Sequence, residues 1–106
     1  MSEPIRHIVA IRFKADISNA HIAGLMDQLS ALRAHLGGIS DFQHRSNVSP
    51  EEPVVHGFRH LFWFDFDSEL ARDTYLMDPE HQAVGKQLVE AAQGGVDGIL
   101  VLDFAL

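Results

Sequence analysis

The chain has 106 residues, 46% of them hydrophobic, which suits one compact domain over residues 1–106 with a real core and leaves no room for a second. Fifteen acidic side chains against eight basic ones give a formal charge of −7, which repels phosphate backbones and anionic lipid, so neither nucleic acid nor a membrane is expected as a partner. There is no cysteine, hence no disulfide framework, thiolate zinc site or cysteine nucleophile, as fits a reducing cytoplasm.

The opening stretch MSEPIRHIVAIRF is broken by Arg6, His7 and Arg12, too short an apolar run for a signal peptide or membrane span, and a soluble, unprocessed cytoplasmic chain is expected. Residues 5–14 alternate. Ile5, His7, Val9, Ile11 and Phe13 share one face of a strand, and Arg6, Ile8, Ala10, Arg12 and Lys14 the other. Ser18 or Asn19 caps a helix whose Ile22, Leu25, Met26, Leu29, Leu32 and Leu36 recur every three or four residues until Gly37-Gly38 stop it. Residues 39–46 read as a weaker strand, and SNVSPEEPVVHG as an exposed connection rich in turn formers. FRHLFWFDF, residues 58–66, is the most apolar strand. Ser68 caps a short helix to about Met77, Pro79 opens another to about Ala92, and ILVLDF closes the pattern as a last strand.

Strand, helix, strand, strand, broken helix, strand is the split β-α-β order of a ferredoxin-like α+β sandwich with a four-stranded antiparallel sheet. Its helices cover one face. On the other face Leu61 and Trp63 of the third strand and Ile8 and Ala10 of the first are also apolar, and a monomer rarely leaves such a surface in water. A second copy packed sheet to sheet is the simplest cover, so a homodimeric α/β barrel through Ile8, Leu61 and Trp63 is expected.

The stretch TYLMDPEHQAVG breaks its own helical spacing. With Asp78 as N-cap and Pro79 first in the new helix, His81 falls in the first turn, where the helix dipole disfavours imidazolium. A neutral imidazole beside the Tyr75 hydroxyl suits proton abstraction next to a carbonyl, His81 as general base and Tyr75 as oxyanion donor. The alternative is a structural pair, with His81 bonded to a nearby carbonyl and Tyr75 filling the core at a helix end. His7, Val9, Ile11, His60, Phe62 and Gly85 are the candidate lining of a hydrophobic small-molecule pocket. His7 and His60 fall toward opposite ends of paired strands, and His56 and His60 lie in an extended segment, so no metal site and no cofactor are expected. His21, His35 and His44 read as surface positions without partners.

In order and spacing, RHIVAIRFK, SNVSPE, GFRHLFWFDF, ARDTYLMDPEH and ILVLDF resemble the stress-responsive A/B barrel (Dabb) family of dimeric α/β barrels. The resemblance covers nearly the whole chain. It implies a ferredoxin-like protomer that dimerises through its sheet, with no assigned activity for most members. Within the family a plant polyketide cyclase works without metal or cofactor, and the resemblance aligns its catalytic tyrosine and histidine with Tyr75 and His81 and two pocket histidines with His7 and His60. Here Asp78 stands where that motif carries a further histidine. Three functions follow: a homodimeric pocket protein without assigned activity, a cofactor-independent cyclase or lyase, and a monooxygenase of the antibiotic-biosynthesis type, for which no motif matches.

Overall fold

The structure, a computed structural model, describes residues 3–106. Strand β1 (Ile5–Ile11) leads into helix α1 (Asn19–Ala31), strand β2 (Ile39–Ser46), a helical turn α2 (Glu52–Val55) and strand β3 (His60–Phe66). Helices α3 (Glu69–Met77) and α4 (Pro79–Ala91) then precede strand β4 (Ile99–Ala105). The strands pair antiparallel in the order β2-β3-β1-β4, the ferredoxin-like arrangement with β1 and β3 at the centre. No helix among the described residues is long and apolar enough to cross a membrane.

Alternation along the central strands divides the sheet into two unlike faces. Ile5, His7, Val9 and Ile11 of β1 and Phe62, Phe64 and Phe66 of β3 are buried beneath the helices, joined there by Leu25, Met26 and Leu29 of α1 and by Tyr75, Val84 and Leu88. Phe64 stands at the middle of this layer, with ring centroids 4.7 Å from Phe42 and 4.8 Å from Tyr75. The opposite face has no such cover. Ile8 lies between Trp63 and Leu102 in the register, and Ala10 between Leu61 and Leu100. Leu100, Leu102 and Phe104 are each about half exposed. Trp63 lies between two guanidinium groups, Arg6 at 5.4 Å and Arg45 at 5.6 Å from its ring, and Arg6 grips Asp65 through two hydrogen bonds of 2.8 and 2.9 Å.

Several boundaries differ from the sequence reading, β3 among them, which starts at His60 instead of Phe58. Helix α1 tightens into a 3-10 turn over Leu32–Ala34 before Gly37 is reached, so Leu32 joins the core while Leu36 packs at its margin. The expected loop after β2 folds one helical turn that buries Val55, because Pro53 fixes a helical φ just ahead of two valines. Strand β1 ends at Ile11, with Phe13 making an isolated bridge to Ala92. At Gly38 the backbone has φ +82°, and a Cβ there would sit 2.6 Å from that of Ala71, so only glycine lets β2 start beneath α3.

The junction between α3 and α4 is built around Asp78, in extended backbone at φ −68° and ψ 130°. Its N–H donates to the Tyr75 carbonyl (3.1 Å) and its Oδ2 accepts from the His81 N–H (3.0 Å), closing one helix and capping the next. Its Oδ1 lies 2.7 Å from His35 Nε2, so His35 is not the unpartnered surface histidine that spacing implied. A partner forty-three positions away leaves no local trace in sequence. Burial of Asp78 works against its charge, yet hydrogen bonds from His35 and from the His81 and Glu80 amides hold its carboxyl below the ordinary value. The same hydrogen bond raises the His35 imidazole above its own, burial opposing and the charges of Asp78 and Glu80 assisting.

These directions fix a pH dependence of stability. Because the folded-state value of His35 is raised, its contribution is fully present below its ordinary 6.5 and is lost as pH rises through the folded value. Asp78, lowered, contributes above its ordinary 3.8 and loses that contribution as pH falls through its folded value. The difference in melting temperature between wild type and His35→Gln is therefore expected to be largest near about pH 5 and to shrink toward about pH 9. A constant difference in thermal denaturation across that range would show that the pair does not titrate as described.

Candidate functional site

The helix break brings the Tyr75 and His81 rings to 4.0 Å between centroids, inclined by 40°. Tyr75 is 1% exposed and packed among Phe64, Phe66 and His7, with His7 edge-on to it at 5.8 Å. Burial pushes the Tyr75 phenol far up, so it stays protonated and available as a donor. His81 is lowered. Burial is the largest cause, the positive charge that His7 can carry adds to it, and the nearby Leu76 carbonyl and the charge of Asp78 oppose it. The helix-dipole argument gave this direction, but burial comes first. His81 Nδ1 is buried and has no hydrogen-bond partner among the described residues.

A cavity of about 280 Å³ opens between α3, α4 and the sheet. His7, Val9, Phe62, Tyr75, His81 and Gly85 share its wall. Apolar side chains complete it, Leu76 from α3, Leu88 and Val89 from α4 and Ile99 and Val101 from β4. A Cβ built on Gly85 would meet nothing within 4 Å, so this glycine leaves open space and is not forced by close packing. Two residues named with this group stand apart from the wall. Ile11 is fully buried in the core, and His60, paired with Ile11 at the far end of β3 from Phe66, lies edge-on to Phe13 at 5.2 Å. Strand alternation gives a side chain its face but does not say how far along the strand the cavity extends.

Sequence reasoning missed the apolar wall residues Leu76, Leu88, Val89, Ile99 and Val101, and the two charged residues that stand behind His7. Asp103 pairs with His7 in the β1–β4 register, and its Oδ1 lies 2.6 Å from His7 Nδ1. Its Oδ2 accepts from Arg72 Nη1 of α3 at 2.8 Å. The available signal was a lone carboxylate in ILVLDF, set by alternation on the same face as Ile99 and Val101. For metal chemistry, His35, Asp78 and Glu80 bring one nitrogen and two carboxylates within 4.8 Å of one another. Both Asp78 oxygens are already engaged, one with His35 and the other with the His81 amide, so this grouping is accounted for as a helix cap.

The model of the stress responsive A/B barrel domain matches residues 5–106. No curated protein matches the chain in sequence. Among solved structures, a dimeric ferredoxin-like protein of unknown function from Jannaschia sp. CCS1 is 29% identical, with a TM-score of 0.87 over 97% of this chain and 99% of that one. The hydroxynitrile lyase of Passiflora edulis shares the fold at 20% identity and a TM-score of 0.84, over 100% of this chain and 95% of its own. A dimeric ferredoxin-like protein of unknown function from Thermobifida fusca does so at 18% and 0.78, over 100% and 93%. With the family model spanning all but the first four residues, and with this sheet order and helix placement, the chain belongs to the stress-responsive A/B barrel (Dabb) family.

Proposed function

We propose that the protein is a small homodimer that binds an apolar carbonyl compound in the cavity beneath α3 and α4 and acts on it by proton transfer. The observation that carries the reading is His81 Nδ1, buried and unpartnered beside the Tyr75 ring on the wall of that cavity. A buried polar atom without a partner costs stability, and its retention calls for an explanation such as catalysis. In the reaction, His81 takes a proton from the carbon next to the carbonyl. The C–H electron pair becomes the enolate, and the Tyr75 hydroxyl donates a hydrogen bond to its oxygen. Enzymes do occur on this framework, since the Passiflora edulis relative is a lyase.

The homodimer rests on the outer sheet face, where Ile8, Leu61 and Trp63 adjoin the half-exposed Leu100, Leu102 and Phe104, and on the dimeric Jannaschia relative. An apolar surface of this extent is what a sheet-to-sheet partner would cover. Trp63→Glu would place a charge in that desolvated contact and is expected to leave a folded monomer. Sedimentation at micromolar concentration decides it, and a wild-type chain that already sediments as a monomer defeats the claim.

Acetophenone is a suitable first probe, because it carries both the carbonyl and exchangeable protons beside it. Wild-type protein in deuterated water is expected to speed deuterium entry at the methyl group, followed by proton NMR. Tyr75→Phe should slow this by about 100-fold, and His81→Ala should abolish it while the fold persists. Gly85→Leu, which fills the cavity without touching the chemistry, should block both binding and exchange at undiminished thermal stability, since glycine within a helix is itself unfavourable. Binding without exchange would reduce the site to a pocket that holds ligands and sink the acid–base reading.

A further inference from the structure

Arg72, Asp103 and His7 form a chain of contacts that ends at the cavity wall. Arg72 Nε is held by Asp73 Oδ1 at 2.8 Å, and its Nη1 reaches across from α3 to Asp103 Oδ2 at 2.8 Å. The other oxygen of Asp103 faces His7 Nδ1 at 2.6 Å. A carboxylate paired with arginine accepts only, so in a neutral ring the proton sits on Nδ1 and Nε2 is left as an acceptor. His7 is 5% exposed, and its Nε2 has no hydrogen-bond partner among the described residues. Besides His81, two polar anchors of different kind therefore stand close together on a wall that is elsewhere apolar: the Tyr75 donor, and 5.8 Å away between ring centres the His7 ring as an acceptor.

We propose that Arg72, acting through Asp103, is a positioning residue that holds His7 as its Nδ1–H tautomer, and that the Nε2 acceptor so presented gives the cavity a preference for α-hydroxy ketones. The inference rests on the cavity being the ligand site proposed above. The carbonyl oxygen meets the Tyr75 hydroxyl, and a hydroxyl on the neighbouring carbon donates to His7 Nε2. With the two rings adjacent on the wall, oxygens on neighbouring carbons of one small ligand would reach both. An aryl or alkyl remainder lies against Val9, Phe62 and Leu88.

The tautomer is measured on ligand-free protein by long-range proton–nitrogen NMR of the imidazoles, at alkaline pH where the rings are neutral. Wild type is expected to show His7 as Nδ1–H, with Arg72→Gln and Asp103→Asn redistributing the proton and Arg72→Lys retaining part of the wild-type form. An Nε2–H ring in wild type, or a tautomer unmoved in both Arg72→Gln and Asp103→Asn, overturns the positioning role. Binding is measured in parallel with α-hydroxyacetophenone and its methyl ether, which keeps the oxygen but cannot donate. Wild type should favour the hydroxy ketone by about tenfold, and Arg72→Gln should remove that preference while leaving affinity for the ether unchanged. Equal binding of both ketones by wild type, or a loss of affinity for both alike in Arg72→Gln, overturns the ligand class. If neither ketone nor acetophenone binds, the ligand class falls together with the proposed function, whereas the tautomer still decides whether Arg72 positions His7.

Discussion

Everything at the site depends on the chain stopping one helix and starting another at Asp78 and Pro79. Six residues along an uninterrupted helix span roughly 9 Å of axis and about 120° of rotation, which would point Tyr75 and His81 to different sides. The break places their rings 4.0 Å apart instead. Proline alone does not achieve this. The Asp78 amide closes α3 on Tyr75 and its carboxylate caps α4 at His81, so the two backbone positions that carry the paired rings are both tied to one residue. His35, from the turn after α1, fixes the carboxylate from outside, and through it the first helix takes part in positioning a site it does not line.

The sheet beneath has a second constraint, because both of its faces are apolar for different reasons. The inner face is filled by helices and by a layer of phenylalanines that ends at Tyr75. The outer face keeps its hydrophobic residues partly in water while placing Arg6, Arg45 and Asp65 around Trp63. That ring of charge sets a polar boundary on one side of the apolar patch, as a rim bounds an interface. The cavity lies on the inner face and the patch on the outer, so the two occupy separate surfaces of β1.

Features governed by local rules were legible in the sequence. Alternation gave the strands and the two faces, proline and Asp78 gave the helix junction, and spacing gave the stripe of α1 with Leu25, Met26 and Leu29. Those set by distant pairings were not. His35 meets Asp78 across forty-three positions, and His7 meets Asp103 across ninety-six, so no window of sequence holds both partners. Grouping His60 with His7 failed in another way. Both residues were given the correct face, but the antiparallel register sets His60 opposite Ile11 while His7 faces Phe64, and the cavity takes its wall from Val9, Phe62, Ile99 and Val101 beside His7 and leaves out both His60 and Ile11.

Burial favours the uncharged forms of Tyr75 and His81 on the cavity wall. The phenol is held protonated by burial, His81 is held neutral mainly by burial, and the Arg72–Asp103 ion pair behind the wall sits at the more accessible side, where each side chain keeps roughly a fifth to a quarter of its exposure. A resident charge inside so small an apolar space would cost several kcal/mol in lost hydration. In the proposed reaction, moving a proton from a bound carbon acid to His81 would add no net charge, because imidazolium and enolate would appear together and attract each other strongly where water is excluded. The hydroxyl of Tyr75 would then stabilise the enolate oxygen without having to ionise. A site of this composition suits chemistry in which charge separates briefly within the ligand–histidine pair, and it suits poorly any ligand that arrives already ionised.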